Sequence, residues 1–197
     1  MRWWVQAIAG LFLVATSTVT WAQTPEGWDR YLDRPRGPYR GQVIDADTRA
    51  PLVGAVVVAY WPRDRIFPFH SVMEHYAVRE VLTDADGRFV IDGGDIERSA
   101  PKRTLYPRFL IFIPGYGSFP RLQKAPTGFT GGVFEDRGAL VELPRLESRE
   151  ARRANLREIT PSSFTDAPFQ DLPELTKRVN EERDFFGLSP LVPEERR

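Results

Sequence analysis

Between Tyr39 and Leu143 the apolar positions come in short runs broken by turn residues, and that spacing predicts β-structure. Val43 and Ile44 mark a strand over Tyr39–Asp45. Residues 45–51 follow as a turn, because Asp and Thr side chains bond nearby backbone groups and Pro51 fixes φ. Residues 52–60 form a Val-rich strand, and residues 78–83 form the next. Asp84, Asp86 and Gly87 mark a tight hairpin, with Gly87 free to take φ > 0. The chain returns along Arg88–Ile91, with Phe89 and Ile91 on one face. A further apolar strand over 109–113 is stopped by Pro114-Gly115, and Ala139–Leu143 is the last.

Two of these strands are apolar on both faces: Val56, Val57, Val58 and Ala59 in one, and Phe109 to Ile113 in the other. A strand with one face in water alternates instead. The outer face of their sheet is therefore expected to be covered, by the C-terminal region or by another protein. Residues 146–159 are rich in helix formers and charge and read as a solvated helix. Asp171, with Glu174 three residues on and Pro173 between, reads as a capping box opening a second helix, and Glu174 is expected to pair with Arg178. Leu172, Leu175, Val179 and Phe186 fall on one stripe, and Gly187 ends the element. That stripe is the expected cover, with a tail left free as the rival.

The order G-x-V-x-D-x-x-T-x-x-P-L-x-G-A-x-V, then T-D-x-D-G-x-F, then I-x-I-P-G-Y resembles the carboxypeptidase regulatory-like domain. The resemblance spans residues 38–146. It implies a mainly β fold, a seven-stranded transthyretin-like β-sandwich, here with a C-terminal helical extension over 147–197. It also implies a non-catalytic accessory or binding module. The chain departs at Arg49, where the family usually has Gly and where φ > 0 costs a side chain steric energy. No peptidase domain accompanies the module within this sequence.

Composition adds the setting. Arg2, the apolar run from Val5 to Val14 and Thr20-Trp21-Ala22 read as a secretory signal over residues 1–22, followed by a linker over 23–37. With no cysteine, the chain carries no disulfide framework, which suits a bacterial periplasm or secretion. Basic and acidic residues number 27 each, and loss of Arg2 leaves 26 against 27. A near-neutral chain lacks the basic surplus of a nucleic-acid binder, and no stable membrane insertion is expected once the signal is gone. The 17 prolines favour turns and extended connections.

Candidate chemistry is sparse. His70, Glu74 and His75 fit neither zincin spacing, and in a strand Glu74 and His75 would face opposite ways. Asp84-Ala85-Asp86-Gly87 has its Gly two places early for a calcium loop. Neither metal nor cofactor is expected, and no enzyme activity. Aromatic residues carry more promise: Tyr60, Trp61, Phe67 and Phe69 around a Pro-rich loop over 61–68, with His70 and His75 beside it, and Tyr116 and Phe119 in another loop. Such loops at the end of a sandwich bind partner proteins or sugars. The expected function is binding of a protein partner in the cell envelope. The alternatives are a glycan or small ligand at the aromatic loops, and third a metal-dependent hydrolase.

Overall fold

A computed structural model of the chain describes residues 37–101, 104, 106–122, 129–130, 133–134, 138–159, 167 and 171–191. The expected signal segment and nearly all of the linker lie outside them. The chain is mainly β. One three-stranded sheet has the order β4-β1-β8, from Arg88–Ile91, Tyr39–Asp45 and Ala139–Leu143. β1 runs antiparallel to β4 and parallel to β8. The second has the order β3-β2-β5, from His70–Leu82, Val56–Phe67 and Arg108–Phe112, all antiparallel. A short ribbon pairs β6 (Phe129–Thr130) with β7 (Val133–Phe134). Three helices are described: α1 (Gly94–Ser99), α2 (Arg149–Glu158) and α3 (Pro173–Phe185).

Strand alternation builds the layers. Val43, Phe89, Ile91, Val141 and Leu143 of the first sheet meet Val57, Ala59, Trp61, Phe109 and Ile111 of the second in one buried core. The other residues of those second-sheet strands, Val56, Val58, Leu110 and Phe112, point away and are buried too. Leu156 and Ile159 at α2, with Leu172, Leu175 and Val179 at α3, cover them, and Phe186 packs at the margin. The doubly apolar strands thus find their second partner within the chain, and the tail is docked.

The tail is also bonded to the sheets. Asn155 accepts from Ser118 N–H (3.2 Å) and Oγ (2.8 Å), and its Nδ2 donates to the Tyr116 carbonyl (3.0 Å). Glu182 accepts from Gly115 N–H (3.0 Å) and from Nε and Nη2 of Arg152 (2.8 and 2.6 Å). Backbone groups in the loop after β5 are thereby satisfied by tail side chains.

Several expectations need correcting. β2 starts at Val56, not Leu52, because Gly54 turns the backbone at φ 74°. β2 and β3 are longer than expected, and 61–68 is no loop. Strand pairing runs through Pro62 because the register shifts there, and β5 pairs with β2 only as far as Tyr60, so the missing N–H loses no ladder bond. The Asp84–Gly87 turn is tight, and Gly87 has φ 71° with no room for a Cβ, but it closes no hairpin. It passes the chain from β3 in one sheet to β4 in the other.

At α3 the N-cap is Leu172 with no side-chain cap bond, so Asp171 opens no capping box. Glu80 of β3 takes that role, accepting from the N–H groups of Glu174 (2.6 Å) and Leu175 (2.9 Å). Arg178 pairs with Glu181 at 2.9 Å rather than with Glu174, whose Oε2 is buried without a hydrogen-bond partner. Arg49 adopts φ 65°, the left-handed backbone of a glycine position. Asp45 holds that turn by accepting from Asp47 and Thr48 N–H, and Arg49 reaches Glu142.

Candidate interaction surface

The eight residues singled out from the sequence do not form one surface. Trp61 is 1% exposed in the inter-sheet core, tilted against Tyr39 at 6.3 Å, and its Nε1 donates to Glu97 of α1. Tyr39 donates to the same carboxylate. Phe119 is buried in that core as well. Tyr60 is buried on the tail side of β2, where its ring stacks on His75 at 5.8 Å. Tyr116 donates to Asp45 (3.0 Å) and accepts from Arg145 (2.8 Å), whose guanidinium lies over its ring. These aromatics serve the fold.

Phe67, Phe69 and His70 lie elsewhere, at the end of a two-stranded arm. Beyond Tyr60 the ladder to β5 stops, while pairing of β2 with β3 continues to Phe67 and His70. An isolated bridge from Arg63 to Thr104 is the last described backbone bridge on that side of β2. β3 is an edge strand. A two-residue turn, Pro68-Phe69, closes the tip, and Phe69 is 98% exposed.

The arm has two distinct faces, which follow from register. Arg63, Arg65, Phe67, His70, Val72 and Glu74 share the face that continues the inter-sheet side. Glu74 accepts from Arg63 and Arg65, both at 3.0 Å, and those guanidinium groups hold its carboxyl below the usual range. Phe67 stacks on His70 at 4.9 Å, with Arg65 over its ring at 5.3 Å. Asp64, Ile66, Ser71, Met73 and His75 share the opposite face. His75 therefore points away from Glu74, and no group suited to a metal occurs among the described residues.

Ile66, Phe69, Val72 and Met73 are large apolar side chains left in solvent around this one tip. Two-stranded ribbons are marginal alone in water, and edges with free backbone groups invite another strand. Sequence reasoning missed Ile66, Val72 and Met73, because Pro62 and Pro68 read as loop markers. The alternation in RIFPFHSVM around a two-residue turn was the available signal.

No family model, curated protein or solved structure matches this chain.

Proposed function

We propose that the chain is a non-catalytic exported module that binds a protein partner in the cell envelope through the β2–β3 arm. One observation carries this reading: apolar side chains cluster at the tip of a ribbon whose edge is unpaired among the described residues, while most other aromatics are buried. Apolar groups collected in one exposed place favour a partner over water. A free strand edge supplies main-chain hydrogen bonds to an extended segment of that partner.

For residues 38–146 we propose the carboxypeptidase regulatory-like architecture. Two facing three-stranded sheets support it, as do left-handed backbones at Arg49 and Gly87. A sugar site needs open ring faces, and burial of Tyr60, Trp61 and Phe119 leaves few of them. A metal-dependent hydrolase is disfavoured because two arginines already engage Glu74.

The test is capture from a cell-envelope fraction by the wild-type protein and by a variant carrying I66S and F69S. Both positions are exposed, so stability is expected to stay within about 0.5 kcal/mol of wild type. The proposal expects the variant to lose a specific, stoichiometric partner. Equal capture by a stable variant would refute the assignment to the arm.

A further inference from the structure

α2 carries a row of charge of which the fold uses only the first member. Arg149, Arg153 and Arg157 stand four residues apart and are exposed, so they share one side of the helix at a spacing of roughly 6 Å. Arg149 lies over the rings of Phe185 and Phe186, at 5.0 and 5.1 Å. Arg153 and Arg157 have no ion pair or hydrogen bond among the described residues. The neighbouring arginines are committed: Arg152 to Glu182, Arg145 to Tyr116 and Arg121 to Glu158. Glu150 is exposed in the first turn and makes no ion pair with the row.

Like charges at i, i+4 work against a helix. α2 tolerates them because it is anchored by buried Asn155 and Leu156, with Ile159 just beyond its end. Stability therefore gives no reason for Arg153 and Arg157, whereas charge complementarity does. Alternate residues of an extended chain lie about 6.6–6.8 Å apart on one face, close to the arginine spacing. Guanidinium groups also bind carboxylates in two-point geometry.

We propose that this row is a second protein-docking strip, taking an extended acidic segment whose carboxylates fall at every second residue. A protein segment fits better than an anionic membrane. The row is one arginine wide, and the whole chain is balanced at 27 basic and 27 acidic residues, without the broad basic field that draws a protein to lipid. The strip is independent of the arm.

The test titrates full-length protein with a fluorescent peptide of alternating Glu and Ser, at low salt and at about 1 M salt, where the screening length falls to about 3 Å. Vesicles of phosphatidylglycerol serve as the competing surface. Binding is expected at low salt and lost at high salt. R153E should weaken it about tenfold or more, since it sets a repulsive charge mid-row. The same change places Glu between two arginines at i±4, so the melting temperature should hold or rise. A stable R153E protein that binds the peptide as wild type does would overturn the proposal. So would failure to bind at low salt, or binding of the vesicles in preference to the peptide. The I66S/F69S variant should bind the peptide normally, so the two surfaces stand or fall separately.

Discussion

Glu182 illustrates how much one tail residue holds. Its side chain is 3% exposed, and it neutralises Arg152 in two-point contact while accepting from Gly115 N–H. The Arg152 guanidinium also lies 3.6 Å from the Phe185 ring centre. Glu182→Ala strands a largely buried cation and a backbone donor, and breaking such a pair costs about 3–5 kcal/mol. Urea denaturation should show that loss, and a double variant that also replaces Arg152 with Leu should recover part of it. Unchanged stability in Glu182→Ala would mean that water screens the pair fully. In the sequence Glu182 is one of many charges in a helix and carries no mark of this role.

At the scale of elements, β3 serves three neighbours. It pairs with β2, holds α1 through Arg79 and Asp95 (2.5 Å), and caps α3 through Glu80. Burial pushes the Glu80 carboxyl above its usual 4.5, and the Glu174 carboxylate adds to this against two backbone N–H donors. A raised carboxyl binds its proton more tightly in the folded state. Its contribution is therefore full below 4.5 and lost as pH rises through the folded value. Glu80→Gln removes this titration. Melting temperatures of the two proteins, followed from neutral pH down to 4.5, should shift in favour of wild type as pH falls. Parallel curves would show that Glu80 does not titrate there.

At the largest scale the described residues are layered: a three-stranded sheet, a shared core, a second three-stranded sheet, and the tail helices. The tail buries Val56, Val58, Leu110 and Phe112, each worth roughly 1.5–3 kcal/mol. Their sum is of the order of a typical domain's stability, about 5–15 kcal/mol. Truncation after Leu146 is expected to abolish soluble, cooperative folding, read by size exclusion and thermal melting. A truncated chain that stays monomeric with an unchanged melting temperature would contradict a structural role for the tail.

Local chemistry made much of this legible. Val43 and Ile44 in β1, Ala139–Leu143 as β8, the left-handed Gly87 and Gly187, and the apolar stripe of α3 all follow from side-chain periodicity and turn preference. Double-sided apolarity in β2 and β5 required a cover, and burial of the α3 stripe met it, because one apolar surface removes another from water. What remained hidden depended on partners distant in the chain. Glu80 caps a helix 94 residues away, and Asn155 bonds Ser118 37 residues away. Asp84–Gly87 looks like a hairpin turn locally, yet β3 and β4 join different sheets. Trp61 and Phe69 are equally apolar on the page. Packing buried the first between sheets and left the second at the end of a ribbon, since exposure depends on which strands find neighbours.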